Sequence, residues 1–276
     1  MIKKVNLPHV DAIIGPPLKK GEYNGWLQHM RDDLREGGKK IKDWEIPKTK
    51  RDHEIIAFVQ EVAWSYLRHF GRSKRIIVPM KNIHLLKVGG TKASSDGELA
   101  DGMHTDTTGS IKVDRFESDT LFALTLFHEL YHLGAYKVFR MFRLRKVQRL
   151  SGWRQGISSS GGRGGHKKYF KWAEEAVIEY MTHRFYREHL RNHIDFPRLK
   201  GLLKLNRQGE LDDLKEFARI ACTTSKKRRW KIKNSTRVIH LFCVAQSTGR
   251  WLPIARLTRQ VFDDPQFFRK MAEYDS

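Results

Sequence analysis

The clearest helical pattern lies between Asp52 and Phe70, where every third or fourth position is hydrophobic and Gly71 follows as a stop signal. The same spacing predicts a helix over Tyr23–Arg35 and another over Lys168–His189. A further helix is predicted from a cap at Ser118 or Asp119 to about Leu133. Other helices are predicted near 196–205, 209–221, 235–247 and 265–273.

Runs of branched apolar residues predict strands at 75–79, 83–88 and 110–116. The polar segment 92–109 predicts a loop. Residues 1–21 contain three prolines and predict an arm without regular structure. Strands and helices together predict an α+β fold with a small mixed sheet and predominantly helical flanks.

Composition predicts a soluble chain with affinity for polyanions. The net charge is +22, and 39% hydrophobic residues suffice for a core. A solvated basic face is an equally plain interpretation of the charge. Only two cysteines occur, Cys222 and Cys243, which implies no disulfide framework and fits a reducing, cytoplasmic setting. The N-terminus is not typical of a signal peptide, and no apolar run is long enough to span a bilayer.

The segment LTLFHELYHLGAY, residues 124–136, carries the principal candidate chemistry. On a helix, His128 and His132 lie one turn apart on the same face and can ligate one Zn²⁺ ion. Glu129 lies beside that position, where it can take a proton from metal-bound water and deliver it to a leaving amine. The spacing is that of the metalloprotease helix. The alternative is a pair of half-buried histidines that only make polar contacts.

A catalytic zinc site needs a third protein ligand and one open position. The segment WAEEAVIEY, residues 172–180, offers Glu175 on a separate helix, with Glu179 one turn later on nearly the same face. An ordinary solvated helix face is the alternative interpretation of these acids.

At these residues the chain resembles the gluzincin metallopeptidases. EEAVIEY is similar to the second motif of that family, N-E-A-x-x-D. The resemblance implies Glu175 as third zinc ligand and Glu179 as the acid that orients a zinc-bound histidine. Glu174 stands where the family has Asn, which leaves open whether Glu174 or Glu175 is the ligand.

The resemblance covers roughly residues 75–190 and implies a zincin-like core in which the strand SIKVD, residues 110–114, forms the edge that pairs with substrate. The separation of His128 from Glu175 is wider than in thermolysin. The family's oxyanion-stabilising His or Tyr has no clear counterpart; His183 and His166 are the candidates. The predicted regions are an N-terminal arm with helices, the zincin-like core and a basic helical C-terminal region: 1–74, 75–191 and 192–276.

A basic insertion separates the two motifs. Residues 137–168 contain ten Lys or Arg and no Asp or Glu. The pattern over Tyr136–Leu150 predicts a helix that packs on the core, lies on a membrane surface or follows a nucleic-acid backbone. A Gly/Ser-rich loop is predicted over 151–168.

A second basic cluster lies at 225–237, where an aromatic residue among Lys and Arg suits phosphate contact with base stacking. The candidate polyanion contacts are Lys226, Lys227, Arg228, Arg229, Trp230 and Lys231. Downstream, a helix–turn–helix pattern with Gly249 in the turn is typical of a helical hairpin, and a DNA-binding motif is the rarer alternative.

The leading hypothesis is a zinc-dependent metallopeptidase that acts on a protein or peptide substrate, with Glu129 as general base and acid. The alternative is a basic nucleic-acid-binding protein whose zincin-like domain is regulatory or inactive. Neither the substrate nor the oligomeric state follows from the sequence.

Overall fold

The structure is a computed structural model that describes residues 11–14, 41–94, 101–105, 109–144, 147–161, 167–199, 207–227, 232, 234–262, 264 and 266–273. The helix predicted over 23–35 lies outside these residues. His166 and residues 228–231 of the basic cluster also lie outside them.

Eight α-helices are described. They are α1 (Lys50–His69), α2 (Gly90–Ser94), α3 (Asp119–Gly134), α4 (Lys171–Phe185), α5 (Gln208–Lys227), α6 (Ser235–Thr248), α7 (Leu252–Val261) and α8 (Phe267–Glu273). A π-helical turn, Tyr186–Leu190, extends α4. The strands are β1 (Ala12–Ile14), β2 (Ile83–Leu86), β3 (Gly102–Thr105), β4 (Ser110–Asp114), β5 (Lys137–Leu144), β6 (Val147–Gln155), β7 (Ser158–Gly161) and β8 (Lys167–Tyr169).

The fold is mixed α+β, as predicted, and mostly helical. The helices predicted from Asp52, Ser118, Lys168 and residues 209, 235 and 265 are all present, with ends shifted by a few residues. Residues 196–199, where a helix was predicted to begin, have no helical structure. None of the described helices combines the length and hydropathy that a bilayer crossing requires.

The helix predicted over Tyr136–Leu150 is wrong, because this segment forms the β5–β6 hairpin. Its interleaved apolar and basic residues come close to helical spacing, which imitates a helix, but its valine and phenylalanine residues favour strands. The loop predicted over 151–168 contains the end of β6 together with β7 and β8. Together with β1 and β5, these three strands form a five-stranded sheet in the order β1-β5-β6-β7-β8.

The N-terminal arm is not free of regular structure, because Ala12–Ile14 pairs in parallel with β5. Asp11 holds this strand in place: its carboxylate accepts from the Lys137 backbone nitrogen at 2.7 Å and pairs with Arg72 at 2.7 Å. The strand predicted at 75–79 is also wrong. There the Val78 backbone nitrogen donates to the side chain of Gln60 at 2.8 Å and has no strand partner.

A second sheet, in the order β2-β4-β3, stands next to α3. Strand β4 pairs in parallel with β2 and antiparallel with β3. The prediction that SIKVD forms the edge is therefore wrong: β4 is the central strand, and β3 is an edge. Strand β3 was missed because it lies inside the polar segment 92–109, whose composition is typical of a loop.

Helix α3 packs between α1 and α4 in the centre of the hydrophobic core. Phe127 of α3 stacks on Phe185 of α4 with ring centroids 4.4 Å apart, and Tyr66 of α1 meets Phe127 edge to face at 6.0 Å. Buried residues from Ile55 to Ala272 belong to one cluster. The three predicted regions thus share a core, and their boundaries stay a prediction.

The first turns of α1 and α3 are tied together by charge. Thr49 and Asp52 form a reciprocal capping box at the start of α1. Arg115 then joins Asp52, at 2.6 Å, to Asp119 at the start of α3, at 2.5 Å. Burial alone would raise the pKa of Asp52, but the Thr49 hydrogen bonds and Arg115 outweigh it and lower the pKa.

We expect Asp52→Asn to lower the free energy of unfolding by about 1–3 kcal/mol near neutral pH. Because the folded-state pKa lies below the ordinary value of 3.8, this stabilisation is present above that value and is lost as pH falls through the folded-state pKa. Urea unfolding at several pH values measures the difference. Asp213→Asn, at an exposed position of α5, is the control. A difference between wild type and Asp52→Asn that does not shrink in acid would contradict the assignment.

Candidate metal centre

Helix α3 brings both motif histidines to one site. Ser118 caps its first turn by accepting from the Leu121 backbone nitrogen at 3.4 Å. Twelve of its sixteen residues are buried, so the helix cannot rotate without disrupting the core. His132 is buried and His128 is half-buried, and their Nε2 atoms lie 3.2 Å apart.

The carboxylate of Glu175 completes a nearly equilateral triangle with the two histidines. Its Oε2 atom lies 3.5 Å from Nε2 of His128 and 3.4 Å from Nε2 of His132. In a tetrahedral site with metal–ligand distances of about 2.0–2.1 Å, ligand atoms lie about 3.3–3.4 Å apart. The three atoms therefore have the separations of one face of such a site. Among the described residues, this is the one group with the composition and spacing of a metal site.

Glu174 contacts the back of the same site and not its ligand face. Its Oε1 atom lies 3.0 Å from Nδ1 of His132. A histidine that donates Nδ1–H to a carboxylate presents the lone pair of Nε2 on its other side. The geometry therefore makes Glu175 the candidate ligand, while Glu174, the other residue that the sequence left open as ligand, lies against Nδ1 of His132.

Three donors from three other elements converge on Glu174. Besides His132 of α3, its carboxylate accepts from Oγ of Ser158 on β7 in a very short contact and from Nε2 of Gln246 on α6 at 3.4 Å. The residue is 4% exposed. A buried carboxylate needs such partners, because burying its oxygens without donors would be costly.

Gln246 also fixes the turn that brings Ser158 to the site. Its Oε1 atom accepts from the Ile157 backbone nitrogen at 2.9 Å. Gly156, at φ +53°, lets the backbone pass so close that a Cβ there would lie 2.0 Å from this oxygen.

The C-terminal helix α8 holds the beginning of α4 in place. Phe170 precedes α4 in a left-handed conformation, φ 57°, which is strained for a non-glycine residue. Its backbone nitrogen donates to Ala272 at 2.7 Å, and Nε1 of Trp172 donates to Met271 at 2.8 Å. These bonds help to fix the rotation of α4 and thus the positions of Glu174 and Glu175.

The acids of α4 are buried, so the interpretation of a solvated helix face is wrong. Burial disfavours the charged forms of both His132 and Glu175, but their attraction outweighs it. The pKa of His132 is raised well above its usual value, with Glu174 contributing, and the pKa of Glu175 is lowered well below its own.

Glu179 lies behind His128, with its Oε2 atom 4.0 Å from Nδ1, which is longer than a hydrogen bond. Its Oε1 atom faces Nε2 of His183 at 3.3 Å. Glu179 thus lies between His183 and His128, on the Nδ1 side of the His128 ring. Among the described contacts, His183 meets Glu179 and makes none with His128 or His132.

Glu129 is buried beside the triangle and contacts a residue that the sequence pattern did not indicate. Its Oε2 atom lies 2.7 Å from Nδ1 of His104 on β3. Burial alone would raise the pKa of Glu129, but the hydrogen bond with His104 and the neighbouring histidines His128 and His132 outweigh it and lower the pKa.

A second unexpected residue is Arg207, just before α5. Its Nε atom lies 3.8 Å from Oε2 of Glu175, and its side chain is half exposed. No motif linked it to the site, because residues 200–206 and a long stretch of chain separate it from the histidine helix. Of the basic cluster, Lys226 and Lys227 end α5, and the other four candidate contacts lie outside the described residues.

Comparison with family models, with curated proteins and with solved structures finds no match for this chain. The resemblance to gluzincins therefore depends on the two motifs and on the geometry of the residues that carry them.

We expect Glu174→Gln to lower the free energy of unfolding of the metal-free protein by about 1–3 kcal/mol. The amide of the variant keeps one oxygen acceptor, but its NH₂ group faces donors that the carboxylate accepted from. These donors are His132, Ser158 and Gln246. Glu216→Gln, at an exposed pair with Arg219, removes a charge at the surface and should change stability little. Denaturant unfolding compares the two variants. Equal effects would show that the donors around Glu174 do not need its charge.

Proposed function

We propose that this protein is a zinc-dependent peptidase with a gluzincin-like site, in which His128, His132 and Glu175 hold the ion. One observation carries the proposal: three ligand atoms from two separate helices form a triangle with the dimensions of a tetrahedral face, and Glu129 lies beside it. A zincin-like arrangement is also supported by two features of the fold. Strand β3 lies next to the histidine helix α3, and a later helix, α4, carries the third ligand.

The donor set favours zinc over other common ions. Two imidazole nitrogens and one carboxylate are the ligands of catalytic zinc in peptidases, whereas Ca²⁺ and Mg²⁺ prefer oxygen ligands alone. The Nδ1–Glu174 hydrogen bond fixes His132 in the tautomer that ligation requires. Bound zinc would polarise the scissile carbonyl and lower the pKa of a water molecule.

Glu129 provides the proton transfer in this proposal. Its Oε2 atom is engaged by His104, and among the described residues its Oε1 atom makes no hydrogen bond. The carboxylate therefore has one oxygen held and one available to accept a proton from the attacking water and pass it to the leaving amine.

The net charge of +22 supports a second candidate, a nucleic-acid-binding protein in a cytoplasmic setting whose metal centre is regulatory or inactive. Binding to DNA or RNA that weakens steeply with salt and is unchanged by Glu129→Gln would favour it. The two functions are compatible, since the basic cluster and the triangle involve different residues.

We expect the wild-type chain to bind about one zinc ion, and Glu175→Ala to weaken zinc binding strongly because a ligand is lost. Elemental analysis of protein purified without chelator gives the stoichiometry, and competition with a chromophoric chelator gives the affinity. Glu210→Ala, at a neighbouring buried acid that pairs with Arg207, is the matched control. A wild-type chain without zinc affinity would refute the metal centre.

We expect Glu129→Gln to retain zinc but to lose hydrolysis by about 10²–10⁴-fold, since the amide cannot accept the proton. The zinc-loaded wild type and variant are incubated with a proteome-derived peptide library, and new termini are read by mass spectrometry. Cleavage by the variant at the wild-type rate would exclude Glu129 as the base. No cleavage by the zinc-loaded wild type would leave a metal centre without peptidase activity and would remove the proposed reaction.

A further inference from the structure

The structure assigns a positioning role to two residues outside both motifs: we infer that His104, fixed by Gln155, holds the carboxylate of Glu129 in its working orientation. This inference rests on the proposed function for its catalytic meaning. The hydrogen-bond arrangement itself can be tested without it.

Two residues of strand β3, Gly102 and His104, pack against the side chain of Glu129. Residues two apart on a strand point the same way, so Gly102 and His104 both face α3. A Cβ at Gly102 would lie 2.9 Å from Cγ of Glu129 and 2.8 Å from Cγ2 of Thr125, so only glycine leaves room for the glutamate. His104 then meets Oε2 of Glu129 at 2.7 Å.

Gln155 determines which nitrogen of His104 carries the proton. Its Nε2 atom donates to the backbone oxygen of His132 at 2.9 Å, which establishes that the amide nitrogen faces this way. The same nitrogen lies 3.1 Å from Nε2 of His104. Since Gln155 is the donor, Nε2 of His104 must accept, and the ring proton is left on Nδ1, directed at Glu129.

This arrangement excludes other roles for His104. Both ring nitrogens are engaged, so the ring is not free to ligate a metal or to stabilise an oxyanion. The ring also stacks on His132 at 4.6 Å, nearly parallel, which places it against the metal centre without joining it. His104 therefore acts through Glu129, whose Oε1 atom is left for proton transfer.

Gln155 belongs to the basic insertion, residues 137–168, so this insertion contributes to the site. Gln155 ends β6, is 1% exposed and pairs with Lys137 at the base of the hairpin. Ser158, which contacts Glu174, comes three residues later. The segment that makes the distance between the motifs wider than in thermolysin thus supplies Gln155, which contacts the His104 partner of Glu129, and Ser158, which contacts the Glu174 partner of His132.

The decisive experiment is ¹⁵N NMR of the histidine rings in the 276-residue chain, with and without zinc. The His104 signals are identified by their loss in His104→Asn. We expect Nδ1 to be protonated and Nε2 unprotonated, and we expect Gln155→Met to remove this preference. A protonated Nε2 in the wild type would overturn the inference, because Gln155 could not then donate to it.

Two variants of His104 separate the hydrogen bond from the ring. His104→Asn places an amide nitrogen near the former Nδ1, whereas His104→Gln moves its nitrogen toward the former Nε2, and both lose the stacking on His132. We expect both to bind zinc as the wild type does. His104→Gln should lower kcat about 10–100-fold, and His104→Asn should restore most of it.

The outcomes distinguish this inference from the peptidase proposal. Equal loss of kcat in both variants, with zinc affinity unchanged, would show that the donor position does not matter and would overturn the positioning role. If the zinc-loaded wild type cleaves no peptide, the peptidase proposal fails, and the ring-nitrogen protonation still decides whether Gln155 and His104 hold Glu129.

Discussion

The buried carboxylate of Glu174 joins four separate parts of the chain. It belongs to α4 and accepts hydrogen bonds from His132 of α3, Ser158 of β7 and Gln246 of α6. A buried charge with too few donors is costly, so these elements must meet in one arrangement for the carboxylate to be stable. Because the next residue on α4 is Glu175, the arrangement that satisfies Glu174 also places Glu175 against the two Nε2 atoms.

The site is thus built with the ligand atoms on one side and their supports on the other. The Nε2 atoms of His128 and His132 and the Oε2 atom of Glu175 point toward one another. Glu174 lies on the Nδ1 side of His132, and Glu179 lies on the Nδ1 side of His128. Glu129 has its own support from the β3 strand. Metal ligands need such outer contacts to keep their geometry. Here Glu174 and Glu179 belong to the second motif, whereas His104, Gln155, Ser158 and Gln246 lie outside both motifs.

Local pattern was sufficient for α3 and its histidines, because the i, i+4 spacing on a capped helix fixes both side chains on one face. It was also sufficient for Glu175. It could not tell which acid of α4 contacts which histidine, because the contacts of Glu174 with His132 and of Glu179 with the neighbourhood of His128 form only when α4 packs. His104 and Gln155 could not be found from sequence, because one lies in a segment with loop composition and the other in a hairpin whose basic residues imitate helical spacing.

X-ray absorption spectroscopy at the zinc edge tests the central claim most directly, because it reports the ligands of the bound ion without requiring a substrate. The account predicts a four-coordinate ion with two imidazole nitrogens and two oxygens, one of them from Glu175, at about 2.0–2.1 Å. Sulfur ligands, or a spectrum that Glu175→Ala leaves unchanged, would contradict it.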